Sequence, residues 1–310
     1  MIKKTLYFSI PVYLSLKNKQ LVIKLPEVES NDTLPEAFKQ DATVTRPIED
    51  IGLLVLDHKR ITLSSGVLEA LLENNSAVIT CDSKSMPQGL FLPLSGNTIQ
   101  NERFRDQLAA SLPLRKQLWQ QTIRYKIANQ AAVLEKCTGE KPKCMTIWAE
   151  NVKSGDPDNL EARAAAFYWK TLFASIEGFT RNREGIYPNN LLNYGYAILR
   201  AVIARALVSS GLLPTLGIHH HNRYNAYCLA DDIMEPYRPY VDELVYEMVQ
   251  KYGKVETLTK EMKADLLTIP TLEVIINHKR SPLMVAASQT TASLYRCFAG
   301  ELRHIVYPEL

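Results

Sequence analysis

The sequence predicts an α+β chain, with a small N-terminal β-rich domain over residues 1–95 and a larger all-α domain over residues 96–310. Three observations carry that expectation. Short β-branched and aromatic runs crowd the first third, the stretch from Gly89 to Gly96 with its Gly, Pro and Ser ends them, and every apolar pattern beyond it repeats at helical spacing. With 310 residues, 46% hydrophobic and 22% charged, the chain has the length of one large domain or two common ones, which excludes collagen-like, disordered and disulfide-stapled miniature classes.

In chain order, Tyr7–Ile10, Tyr13–Leu16 and Leu21–Leu25 read as strands, and Lys17-Asn18-Lys19-Gln20 is a polar turn that makes a hairpin of the last two. Residues 26–47 mix Pro26, Pro35 and Pro47 with Asn31 and Asp32, the composition of turns with room for one more strand. Ile51–Leu56 and Ala77–Cys81 are further apolar runs of strand length. Between them, Ser64-Ser65-Gly66 precedes Val67, Leu68, Leu71 and Leu72, the pattern of a capped helix of about three turns. Past the linker, residues 100–136 space Leu108, Leu112, Leu118, Ile123, Ile127, Ala131 and Leu134 as long amphipathic helices. Leu191–Leu207, Val241–Tyr252, Thr259–Leu267 and Pro282–Val306 supply the remaining helices. The sequence holds no internal repeat.

A formal charge of +3 is too near balance to announce a nucleic-acid partner. Its distribution says more. Residues 1–95 hold 10 Lys/Arg against 11 Asp/Glu, residues 96–153 hold 10 against 5, and residues 154–310 hold 16 against 17, so the surplus sits in one central block. Arg103, Arg105, Arg115, Lys116, Arg124 and Lys126 carry it, and such helices are either solvated faces or a polyanion-binding surface.

Five cysteines, an odd number without a CxxC pair, read as reduced thiols in a cytosol. The opening MIKKTLYFSIPVYLSL resembles a signal peptide in its lysines, but Ser9 and Pro11 interrupt the apolar run and no A-x-A-like site follows. Arg200 and Arg205 break the most apolar helix, so no membrane span is expected and a cytoplasmic location is.

Four segments stand out chemically. His219-His220-His221 follows Pro214 and Gly217-Ile218 in a turn. Farther on, Asp231 and Asp232 precede Glu235 by four and three residues, offsets that share one helix face. Imidazole with clustered carboxylates is a ligand set for Mn²⁺ or Mg²⁺, while acidic residues at a helix start also serve the helix dipole, and Pro236 suits that second reading. In Asp156–Trp169, Asp158 and Glu161 are spaced as a near capping box, and Ala162, Ala164, Ala165 and Ala166 suit either tight helix packing or a buried carboxylate. Asn189, Asn190 and Asn193 with Tyr194 and Tyr196 open a core helix as caps or as the lining of a phosphate channel.

The string NLLNYGYAILRAVIARALVSSGLLPTLGIHHHNRYNAYCLADDIMEPYRP from Asn190 to Pro239, together with DNLEARAAAFYW from Asp158, resembles the CRISPR-associated endonuclease family called Cas-one, most closely its type II members. That resemblance covers nearly the whole chain. It implies a homodimeric, metal-dependent DNA endonuclease and integrase of CRISPR adaptation, working with a small ferredoxin-like Cas partner in a heterohexamer. Its residues 1–95 would serve dimerisation and partner contact, and its substrates would be double-stranded DNA, spacer fragments and the CRISPR repeat. The family's ligands fall on Glu161, His220 (three after Gly217) and Glu235 (fifteen after His220), which would be both catalytic and metal-binding.

A 3′-hydroxyl of the fragment would attack a repeat phosphodiester by transesterification, with Mg²⁺ or Mn²⁺ as cofactor. Asp232 is the auxiliary residue expected behind those ligands, and Arg115, Lys116 and Arg238 are the candidate DNA contacts. Two other classes compete: a non-catalytic DNA-binding module, and a metal-dependent phosphodiesterase unconnected with integration.

Overall fold

A computed structural model describes residues 3–310, so Met1 and Ile2 of the signal-like opening lie outside the described residues. The chain divides into two compact units, Met1–Leu94 and Ser95–Leu310.

The first unit runs β1 (Lys4–Phe8), β2 (Tyr13–Lys17), β3 (Gln20–Lys24), α1 (Pro26–Glu29), α2 (Glu36–Asp41), β4 (Val44–Pro47), β5 (Ile51–Leu56), β6 (Thr62–Leu63), α3 (Ser65–Glu73), β7 (Ala77–Cys81) and β8 (Pro87–Phe91). These make two four-stranded sheets, ordered β1-β5-β7-β8 and β4-β3-β2-β6. In the first, β1, β5 and β7 are parallel and β8 is antiparallel to β7. All six residues of β5 are buried, as expected of a parallel central strand. Leu14, Leu21, Ile51, Leu54 and Val78 pack with Val67 and Leu71 of α3 into the core.

The hairpin β2–β3 turns on Asn18 (φ 51°) and Lys19 (φ 59°), two left-handed residues that match the twist of the strands. Residues 26–47 hold the one further strand, but α1 and α2 precede it where only turns are expected. Ser64 starts α3 without a side-chain cap. Gly89, expected to break the strand pattern, lies inside β8 opposite Thr80, where a Cβ would come within 2.4 Å of Thr80 Oγ1. Glycine there permits close approach rather than ending the sheet.

The second unit holds α4 (Gln100–Ala109), α5 (Leu112–Thr138), α6 (Lys143–Asn151), α7 (Leu160–Leu172), α8 (Asn189–Ser209), α9 (Cys228–Met234), α10 (Arg238–Tyr252), α11 (Lys260–Leu266), β9 (Glu273–Ile276), β10 (Lys279–Pro282) and α12 (Leu283–Phe298). It is therefore helical apart from the β9–β10 hairpin, which the helix-period reading overlooked. Ser111 caps α5 by accepting from the Leu114 amide, and Gly139 (φ 77°) closes it. α8 is long and apolar enough to cross a membrane by length and composition, but 78% of its apolar window is packed inside the unit. α12 stops far short of Val306, because Gly300 (φ 77°) turns the chain. The following segment runs back extended, burying Ile305 and Tyr307 and pairing Glu309 with Ile275 of β9.

Candidate metal centre

One face of α5 is the platform of the site. Trp119, Thr122, Lys126 and Asn129 follow at helical spacing and are all buried. Asn129 Nδ2 donates to Pro236 O (2.8 Å) and Pro308 O (3.0 Å), which fixes the 3₁₀ turn Glu235–Tyr237 between α9 and α10. One turn earlier, the Lys126 ammonium lies 2.6 Å from Glu161 Oε1 and 2.6 Å from Glu235 Oε2.

Glu161 stands in the first turn of α7. Asp156 (φ 49°) and Asn159 (φ 50°) are both left-handed, and the loop they shape lets Asp156 accept from the Leu160 and Glu161 amides, each at 2.9 Å. Asp156, two residues upstream of the expected cap, therefore caps the helix, while Asp158 faces out to Lys153 (2.8 Å). This corrects the capping-box reading: Glu161 points to Lys126 instead of back to its own helix. Of the four alanines beside it, Ala164 is fully buried, whereas Ala162 and Ala166 are exposed.

The histidine turn is built on Asp232, whose side chain is fully buried. Its Oδ2 accepts from the His219 amide (2.9 Å), and its Oδ1 accepts from the His220 amide (3.2 Å) and from His220 Nδ1 (2.5 Å). With Nδ1 donating to a carboxylate, Nε2 keeps its lone pair in the neutral ring. The hydrogen bond to Asp232 raises the His220 pKa above its ordinary value, with Glu235 and Glu161 adding to the effect against burial. Trp119 stacks on His219 (centroids 4.0 Å, planes 1° apart) and meets His220 edge-on (5.6 Å). Burial in that stack lowers the His219 pKa. His221 bonds back to the His219 carbonyl (2.8 Å).

Glu235 is 4% exposed and takes Arg238 on Oε1 (3.1 Å), while Arg238 also lies over the Tyr196 ring (4.8 Å). Burial would raise the Glu235 pKa, but Arg238 and Lys126 outweigh it and hold the carboxylate below its ordinary range. Lys126 is held above its ordinary value in the same way, Glu235 and Glu161 overcoming burial.

Asp231, Asp232 and Glu235 take separate partners, with α9 ending at Met234 and Glu235 opening a 3₁₀ turn. Asp231 binds Arg200 through two contacts of 2.6 and 2.9 Å and accepts from Asn225 (2.7 Å). Each carboxylate thus has its own partner rather than a common one.

Among the described residues no three His, Cys, Asp or Glu side chains converge closely enough to hold one ion. The donors still suit a divalent cation in kind. Two carboxylates already share one positive charge, the buried Glu235 Oε2 meets it at 2.6 Å, and His220 offers Nε2.

The candidate DNA contacts divide. Arg115 lines a 340 Å³ cavity with His220, Arg223 and Asn225, so it stands beside the histidine turn. Lys116 is exposed and packs its stem against Gly155, and Arg238 is spent on Glu235 and Tyr196. Arg103 donates to Ser210 O (2.8 Å) and lies over the Tyr295 ring, so part of the basic block has structural work. Two of the amides at the start of α8 face the preceding loop, Asn189 bonding Thr180 O and Ile186 O, Asn193 bonding Arg183 O and both accepting from Arg181, whereas Asn190 donates to Glu256 O (3.2 Å). Asn189 and Asn193 thereby pin that loop.

Sequence reasoning missed Lys126 as a site residue, Trp119 and Asn129. The available signal was their position on the apolar stripe of Leu118, Ile123, Ile127 and Leu134, where a lysine is out of place unless paired.

The family model described as CRISPR associated protein Cas1 matches residues 8–278. A CRISPR-associated endonuclease Cas1 from Neisseria meningitidis serogroup C (strain 8013) is 34% identical, over 90% of this chain and 87% of that protein. One from Francisella tularensis subsp. novicida (strain U112) is 24% identical over 96% of each. Among solved structures, a casposase bound to its integration product superposes with a TM-score of 0.77 at 18% identity, covering 98% of this chain and 92% of that one. A Cas1 protein of Thermotoga maritima gives 0.72 at 16% identity, covering 96% and 98%. A chain of a Cas6-RT-Cas1–Cas2 complex gives 0.71 at 18%, covering 99% of this chain and 36% of that one.

Proposed function

The chain belongs to the Cas1 family, and from that premise we propose that it is a DNA endonuclease and integrase of CRISPR adaptation whose strand transfer depends on a divalent cation. One observation carries the reading: Glu161 and Glu235 converge on a single positive charge beside an imidazole whose Nε2 is left as donor by Asp232. Glu161, His220 and Glu235 would hold Mg²⁺ or Mn²⁺. When bound, the ion supplies Lewis-acid stabilisation of phosphate charge and lowers the pKa of an attacking hydroxyl.

The chain's own residues prepare that chemistry. Asp232 fixes the ring orientation and tautomer of His220, and Trp119 blocks its rotation. Arg238 holds Glu235 by Oε1 and leaves Oε2 for the ion. Arg115 and Arg223, lining the adjoining cavity, would neutralise DNA phosphates brought against His220. Lys116 is an exposed contact for the flanking duplex, and Arg238 acts on DNA through Glu235.

The reading extends to partners. A homodimer, using residues 1–95 for dimer and partner contact, would join a small ferredoxin-like Cas protein in a heterohexamer. The solved Cas6-RT-Cas1–Cas2 complex supports such an assembly, and the casposase with its integration product supports DNA as substrate. Cellular DNA as substrate puts the site of action in the cytoplasm.

The test is strand transfer of a short duplex with free 3′-hydroxyls into a plasmid bearing a repeat array. Wild type is expected to join the two covalently in Mn²⁺ and to stop in chelator, and His220→Ala to lose joining while still binding the fragment. Nicking without joining would make the protein a phosphodiesterase, and full joining by His220→Ala would overturn the site.

A further inference from the structure

We propose that Lys126 competes with the divalent cation for Glu161 and Glu235, so that the ion enters by expelling an ammonium built into the fold; this rests on the metal centre proposed above. Two carboxylates with one oxygen each at 2.6 Å from the same Nζ are a cation-binding pair, and a lysine head is the cation they hold. Lys126 is not a passing surface contact. Its side chain is 10% exposed, and its backbone lies in the middle of the capped helix α5, between Trp119 and Asn129, which fix the histidine turn and the Glu235 turn.

The geometry also says which bonds change. Glu235 keeps Arg238 on Oε1 whether or not the ammonium stays, so Oε2, which faces the Lys126 ammonium, is the oxygen that exchanges one cation for another. Glu161 is a quarter exposed and can follow the ion at little cost. The flexible four-carbon stem of lysine lets Nζ withdraw without moving α5. Two consequences follow. Without a divalent cation, the ammonium prevents two adjacent carboxylates, one of them buried, from repelling each other. With one, the affinity read in solution is weakened by the fraction of molecules in which Lys126 still occupies the pair.

Mn²⁺ binding to the full chain, read from the EPR signal of free Mn²⁺, and melting of the chelator-treated protein test this together. Lys126→Met is expected to melt at lower temperature in chelator yet to bind Mn²⁺ about tenfold more tightly than wild type, since a positive charge next to the ion is gone. Lys126→Gln keeps a polar head and is expected to shift both readouts in the same directions, which covers a Met variant that fails to fold. Lys126→Arg keeps the charge and is expected to bind Mn²⁺ no more tightly than wild type. Mn²⁺ affinity in Lys126→Gln equal to or below that of wild type would overturn the competition. Equal Mn²⁺ affinity in wild type and Glu235→Gln would instead overturn the metal centre itself.

Discussion

Gly217 shows how far a single side chain decides this site. A Cβ there would come within 2.2 Å of the His220 carbonyl and 2.7 Å of Asp232 Oδ2, so only glycine lets the histidine turn close over its carboxylate. Gly217→Ala is expected to destabilise folding by about 1–3 kcal/mol through forced backbone shift and to weaken Mn²⁺ binding at least about tenfold. Urea midpoints and Mn²⁺ EPR check it, and wild-type Mn²⁺ affinity would contradict it. Gly217, His220 and the acidic run stood out in the sequence because a turn glycine and consecutive histidines are rare enough to notice. Glu161 carried a bland capping alternative, which fell once Asp156 took the cap. Lys126 was illegible as a site residue, since periodicity reads a lysine on a long helix as solvated and cannot see the two carboxylates that come from 35 and 109 residues away.

Asp242 of α10 joins three elements, accepting from Tyr168 of α7 (3.0 Å) and Tyr196 of α8 (2.5 Å) in the buried space behind Arg238. Burial pushes its pKa up to about 7, against the two tyrosine hydrogen bonds. The sign is the reverse of an ordinary ion-paired carboxylate. From about pH 4 to 7 the unfolded chain has lost this proton and the folded one retains it, so the group's contribution to stability falls as pH rises and levels off above 7. Against Asp242→Asn, wild type is expected to lose at most about 1.4 kcal/mol per pH unit across that window in urea unfolding. A parallel pH dependence in the two proteins would contradict the buried, protonated Asp242. The presence of the long helices was legible from periodicity, as α5 and α8 show, but not the break between α4 and α5 or the end of α12. Some short elements were not: β9–β10 turns on Asn277 and His278, both left-handed without a glycine to mark them, and α1 and α2 hide among prolines.

Across the whole molecule, a net charge of +3 conceals two separate uses of charge. Arg103 and Lys126 are consumed inside the second unit, whereas Arg115 at the cavity of His220 and exposed Lys116 are the residues the proposed function assigns to phosphate contact. Charge reversal at Arg115 and Lys116 together is expected to weaken fragment binding uniformly across sequences and to lower the log–log salt slope by about 2. Unchanged affinity at low salt would remove both from the DNA surface. The two-part plan was legible because sheet and helix periods differ throughout, but the neutral-looking charge was not, since its meaning depends on which cations the fold has already paired. The account as a whole turns on one place in the molecule, and crystals soaked in Mn²⁺ and recorded at an energy where manganese scatters anomalously test it directly. The expected result is a single peak at about 2.2 Å from Glu161, His220 Nε2 and Glu235 Oε2, with the Lys126 ammonium moved away. No peak there at saturating Mn²⁺, with Lys126 still bridging the two carboxylates, would contradict it.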